Sequence, residues 1–128
     1  MKGIPYMACC LGAALALSAA AAPIPPDHSL ELWGSRKSVM FPHMPHANNA
    51  CDACHHPVEG RENFDACGSV GCHDDLTAKQ GVKSLHAVTH SKKKLAHTTC
   101  MACHSETVAR QPERKRELTD CARSKCHP

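Results

Sequence analysis

Aromatic side chains are nearly missing from this sequence. Tyr6, Trp33, Phe41 and Phe64 are the only four in 128 residues, so an interior made of packed side chains would be thin and poorly filled. Something other than side chains has to fill it. What the chain has instead is ten cysteines and eleven histidines, a composition that points to disulfides, metals or a covalently held group rather than to ordinary packing.

The N-terminus carries a targeting segment that has to be set aside before the fold is read. Lys2 gives a short positive start, the apolar run from Ile4 to Ala21 is broken only by Pro5, Gly12 and Ser18, and it ends in Ala19, Ala20, Ala21 and Ala22. This is the pattern of a secretory signal. Cleavage after Ala21 satisfies the small-x-small rule, whereas cleavage after Ala22 would put Pro23 directly behind the cut. Residues 1–21 are therefore read as a signal peptide and 22–128 as one mature domain exported to the periplasm. The competing reading, an uncleaved anchor, rests on a run near the minimum spanning length of about 17 residues. A lipid-attached Cys9 or Cys10 is disfavoured because both stand at the start of the run, not behind it. Cleavage removes those two and leaves eight cysteines, which in an oxidising compartment must be bridged, bound to metal or otherwise consumed.

Little regular structure is expected in the mature chain. Residues 22–27 are proline-rich and extended. The apolar stretches Leu30-Glu31-Leu32-Trp33 and Val39-Met40-Phe41 flank a glycine- and serine-containing segment and predict a small hairpin. Ser84 is placed to cap a helix with Leu85, His86, Val88 and His90 on one side, and Thr119 to cap a short C-terminal helix. Elsewhere glycine, proline and polar residues interrupt every periodic pattern, as in a loop-rich chain wrapped around cofactors.

All eight remaining cysteines fall into four motifs, each ending in a histidine: Cys51-Asp52-Ala53-Cys54-His55, Cys67 and Cys72 before His73, Cys100-Met101-Ala102-Cys103-His104, and Cys121 and Cys126 before His127. The spacing alternates short, long, short, long, as though a two-site unit had been used twice. A c-type haem is held by two cysteine thioethers, and the histidine after the second cysteine binds iron. Zinc sites and disulfides also use paired cysteines. Neither demands the histidines. Four of them following four pairs by chance has a probability on the order of 10⁻⁴, and only haem attachment requires that adjacency. Four haem c groups are expected, with His55, His73, His104 and His127 as proximal iron ligands.

The sixth iron position separates a carrier from a catalyst, because chemistry on a small molecule needs an open site. His28, His43, His46, His56, His86, His90 and His97 remain, enough for four distal ligands. Met40, Met44 and Met101 are too few for four irons and are read as packing residues. Bis-histidine ligation lacks the potential-raising effect of a methionine ligand, so low potentials are expected.

Together these motifs, the segment Val39-Met40-Phe41-Pro42-His43-Met44-Pro45-His46 before the first, and the pair His55-His56 resemble the tetrahaem cytochrome c3 family, the class III cytochromes c of sulfate-reducing bacteria. The resemblance implies a small, mainly α and loop-rich multihaem fold, with short helices and an N-terminal β-hairpin wrapped around four haems. It implies that His43 serves the first haem, His46 the third and His56 the second, and that Phe41 lies between the first and third haems, although ordinary hairpin packing accounts for Phe41 equally well. The fourth distal ligand fits less closely. The family has two histidines three apart, whereas His86 and His90 are four apart; His90 lies nearer the expected position, and His86 and His97 are the alternatives. His28 is read as a solvated N-terminal residue. Ser91 stands where the family has aspartate, which implies a lost local hydrogen bond.

About 107 mature residues cannot bury four porphyrins fully, so haem edges are expected at the surface, where they suit electron transfer between large partners. The resemblance names those partners as periplasmic hydrogenase or formate dehydrogenase and membrane redox complexes. A monomer without enzymatic activity, nucleic-acid partner or membrane insertion is expected. The rival reading is a periplasmic reductase of metal ions or oxyanions with one open haem. Charge is uneven: residues 22–75 hold three Arg or Lys against eight Asp or Glu, a net −5, and residues 76–128 hold eleven against four, a net +7. Lys92, Lys93, Lys94, Arg114, Lys115, Arg116, Arg123 and Lys125 form the candidate docking rim of the fourth haem.

Overall fold

The computed structural model describes residues 23–93 and 98–127. Its two strands form the expected hairpin, β1 (Leu30–Leu32) antiparallel to β2 (Val39–Phe41), with Leu30 opposite Phe41, Glu31 opposite Met40 and Leu32 opposite Val39. Side chains alternate faces along a strand, so Leu30, Leu32, Val39 and Phe41 share the half-buried face, and Glu31 and Met40 point to solvent. Trp33 lies beyond β1 and is exposed. The turn needs glycine at Gly34, where a Cβ would come within 2.2 Å of the Lys37 carbonyl oxygen.

Three helices follow. α1 (Leu85–His90) starts where expected, its Ser84 cap accepting from the Ala87 N–H at 3.1 Å. α2 (Cys100–Arg110) begins at the third motif, capped by Thr99, whose hydroxyl accepts from Ala102 N–H and donates to the Ser91 carbonyl. α1 and α2 pack together, and α2 packs against α3 (Lys115–Leu118). Single 3₁₀ turns span Met44–His46, Cys51–Ala53 and Pro112–Arg114.

Three expectations are corrected. Eleven-residue α2 lies in a region expected to be irregular; no glycine or proline falls between Thr99 and Gln111, and the helix formers Met101, Ala102, Glu106, Ala109 and Arg110 sustain it. Thr119 ends α3 rather than starting a helix, because its N–H is spent on the Lys115 carbonyl at 2.9 Å. At Ser91 a local hydrogen bond is present, the hydroxyl accepting from Lys93 N–H at 3.2 Å.

The interior is the telling feature. Among the described residues only Leu85, Ala102 and Leu118 are buried hydrophobics, whereas a folded domain of this length ordinarily closes a contiguous apolar core. Local hydrogen bonds fix the loops instead. Asp75 accepts from Thr77 N–H, Thr77 Oγ1 and Ala78 N–H, and Glu117 accepts from Arg114 and Lys125 at 3.2 and 2.7 Å. These contacts frame a space without filling it.

Candidate haem-binding sites

Each motif is a turn that presents two sulfurs and a histidine together. In the first, the His55 N–H returns to the Cys51 carbonyl at 2.8 Å. The second has two more residues between its cysteines, yet closes in the same way: the His73 N–H donates to the Cys67 carbonyl at 3.0 Å. Gly71 absorbs the excess at φ 87°, a conformation glycine adopts without penalty. The third motif is the first turn of α2, where Cys100, Cys103 and His104 are three and four residues apart and so share a face. The fourth bulges through Arg123 at φ 60°, and its last residue is tied back by the His127 N–H on Ser124 Oγ at 3.2 Å.

The eight sequence-predicted histidines come together as four pairs. Ring centroids are 6.5 Å apart for His43 and His55, 5.9 Å for His56 and His73, 6.2 Å for His46 and His104, and 6.1 Å for His90 and His127. Interplanar angles are 3°, 55°, 24° and 12° in that order. These separations are too long for direct stacking contact. They match two imidazoles facing one metal, since two metal–nitrogen bonds of about 2 Å in line with the rings put the centroids about 6 Å apart. Each pair joins a motif histidine to one from elsewhere, and His55 and His56, adjacent in sequence, belong to different pairs.

The rings are aimed by their other nitrogen. The Nδ1–H groups of His46, His56 and His90 donate to the carbonyls of Pro42, Pro57 and His86 at 2.8, 3.1 and 3.1 Å, and that of His73 donates to Val82. This fixes the tautomer and leaves Nε2 as the free donor to a metal. Nδ1 of His43 and of His127 is buried without a partner, which marks an interior that protein alone does not close. Phe41 stacks on His46 at 4.8 Å and meets His43 edge-on at 4.9 Å.

Protonation favours ligation. Burial, reinforced by the neighbouring histidines, holds His55 and His104 below the usual imidazole range, and burial does the same for His90. A histidine must be neutral to bind metal. Burial raises the thiols of Cys54, Cys67 and Cys126. Cys100 keeps part of its surface open, but the protein packed around its sulfur, with Cys67, Cys126 and Cys54 nearby, pushes it up to about 12. Cys51, Cys54, Cys67, Cys72, Cys100, Cys103, Cys121 and Cys126 are all unbridged. Among the described residues no three of His, Cys, Asp and Glu converge as a zinc ion would need. The donor set fits haem.

His28 is exposed beside Asp27, 3.4 Å away, and joins no pair. His97 and Lys94 lie outside the described residues. His86 does not face a motif histidine; its ring lies on His90, centroids 4.3 Å apart at 12°. Sequence reasoning missed that stack, although the four-residue spacing on one helix was its signal. It also missed Phe64, 5.6 Å from His55, for which the sequence offers no signal.

Comparison with known proteins identifies the family. The profile of the Class III cytochrome C family matches residues 19–127. Cytochrome c3 of Nitratidesulfovibrio vulgaris Hildenborough is 37% identical over 118 residues, which cover 91% of each chain. The solved structure of cytochrome c3 from Desulfovibrio desulfuricans Essex 6 is 59% identical over 84% of this chain and all of that one, with a TM-score of 0.79. Oxidised cytochrome c3 from a second strain of Desulfovibrio desulfuricans is 58% identical with the same coverage and TM-score. The chain belongs to the class III cytochrome c family, the tetrahaem cytochromes c3, and is a multihaem electron-transfer protein carrying four c-type haems.

Proposed function

We propose that the mature chain, residues 22–128, is a periplasmic, low-potential electron carrier whose four haem irons are each held by one histidine pair. His55 and His43 hold the first, His73 and His56 the second, His104 and His46 the third, and His127 and His90 the fourth. The observation that carries this is the set of four pairs separated by 5.9 to 6.5 Å. Bound haem supplies reversible one-electron chemistry at iron, at potentials tuned by axial ligands and surroundings. The chain's residues would hold and orient the groups: the cysteines would anchor them covalently, each histidine pair would ligate one iron, and backbone carbonyls fix the imidazole tautomers. With both positions filled, no site is open to a small substrate, and electrons pass between protein surfaces.

We infer that the partners are periplasmic hydrogenase or formate dehydrogenase on one side and membrane redox complexes on the other. The support is the basic C-terminal half. Arg116, Arg123 and Lys125 line a shallow hollow with Glu113, Glu117 and Ser124 beside the fourth motif, and Lys92 and Lys93 are exposed next to α1. Arg114 and Lys125 pair with Glu117, and Lys92, Lys93, Lys115, Arg116 and Arg123 are exposed. A basic rim at an exposed haem edge steers an acidic partner. Among the described residues no helix is long and apolar enough to cross a membrane.

Carbon monoxide tests the ligation. The reduced protein should bind none at neutral pH, and His90→Met should raise the potential of one haem alone. Carbon monoxide binding or a high-spin ferric signal would point instead to a reductase with an open haem.

A further inference from the structure

We propose that His86 is the positioning residue of the fourth distal ligand: its imidazole lies flat on His90 and holds that ring parallel to His127. The inference rests on the reading of His90 as an iron ligand. Three observations support it. The His86 and His90 rings are stacked, 4.3 Å between centroids and 12° between planes. The His90 and His127 rings are likewise inclined by 12° across their 6.1 Å gap. The His90 Nδ1–H lies between the His86 backbone carbonyl at 3.1 Å and Thr89 Oγ1 at 2.9 Å, and of these two residues His86 also covers the ring face.

A hydrogen bond at Nδ1 fixes where the nitrogen points but leaves the ring free to rock about that direction. A flat neighbour removes this freedom. The molecule uses the same device at the third pair, where Phe41 stacks on His46 at 24° and His46 lies at 24° to His104. Parallel alignment comes neither from the spacing alone, because His56 and His73 are 5.9 Å apart and inclined by 55°, nor only from a stacked plate, because His43 and His55 lie within 3° with Phe41 edge-on and Phe64 tilted. At the fourth pair the plate is a histidine placed one helical turn before the ligand, where i and i+4 side chains overlap. It is exposed, and its ring covers one face of His90.

The relative inclination of two axial imidazoles sets the g anisotropy of a low-spin ferric haem, and solvent access to the ligand sets part of its potential. Low-temperature electron paramagnetic resonance during a redox titration of the four-haem protein reads both. His90→Met identifies the fourth haem as the one whose potential rises; if no haem moves, the ligand reading fails and this inference with it. His86→Ala should then shift the largest g value of that same haem upwards and its potential downwards, leaving three haems unchanged, while His86→Phe should restore the parent signal. Parent values in His86→Ala, or an equal shift in both variants, would overturn the positioning role. A high-spin signal in His86→Ala would make His86 itself the ligand. Should the alanine variant lose the haem, a phenylalanine variant with four haems and the parent signal supports the role, and one that loses the haem or moves the signal overturns it.

Discussion

Ser84→Ala removes one hydroxyl that does two jobs. Ser84 is fully buried; its Oγ donates to the Ala78 carbonyl at 2.6 Å and accepts the Ala87 N–H at 3.1 Å as the cap of α1. Losing the cap costs about 1 kcal/mol, and leaving the Ala78 carbonyl unpaired costs about 1–3 kcal/mol more. Because the two losses share one site and a water can relieve part of the second, the expected destabilisation is about 2–3 kcal/mol. A six-residue helix has no stability of its own to absorb this, so the loss falls on α1 and on the His90 it carries. Hydrogen exchange followed by mass spectrometry on the segment 84–91 should be roughly 30- to 150-fold faster than in the parent, the equivalent of that energy at about 1.4 kcal/mol per factor of ten. Exchange within a factor of two of the parent would refute the claim that Ser84 holds the fourth site in place.

Phe41→Leu should move the potentials of the first and third haems by up to about 60 mV and leave the second and fourth alone, since the ring lies against His43 and His46; voltammetry of the holoprotein checks it. Hydrogen bonds from Arg114 and Lys125 hold the Glu117 carboxyl down at about 2, below its ordinary 4.5. A depressed carboxylate contributes stability above the unfolded value and loses it as pH falls through the folded one. Acid unfolding of the C-terminal segment should therefore set in between about pH 4.5 and 2, and Glu117→Gln should flatten that dependence. Reversal of Lys92, Lys93 and Lys94 to Glu should slow electron exchange with an acidic hydrogenase by at least roughly tenfold at low salt, with the haem spectrum unchanged. The parent rate should itself fall steeply as salt shortens the Debye length to about 8 Å and below. A rate indifferent to both changes would remove the basic half as the docking face.

What was legible in the sequence is what the chemistry dictates locally. Adjacency of cysteine pair and histidine is set by thioether and axial geometry, so Cys51 to His55 and its three counterparts could be read without a fold. The hairpin was legible because the apolar stretches Leu30-Glu31-Leu32-Trp33 and Val39-Met40-Phe41 flank a glycine- and serine-containing segment. Distal partners were not legible from spacing: His46 and His104 are 58 positions apart, and only the tertiary arrangement brings their rings within 6.2 Å. There the family resemblance supplied what residue patterns could not. α2 went unread because a helix starting at a haem motif hides its period, its cysteines facing the cofactor rather than a side-chain core.

The central claim is that eight histidines, taken in pairs, fill both axial positions of all four irons. Near-infrared magnetic circular dichroism of the fully oxidised mature protein measures this directly, because the charge-transfer band of low-spin ferric haem reports its two axial ligands. The account predicts one band at the bis-histidine position with the intensity of four haems. A band at the histidine–methionine position, or bis-histidine intensity for three haems or fewer, would contradict it.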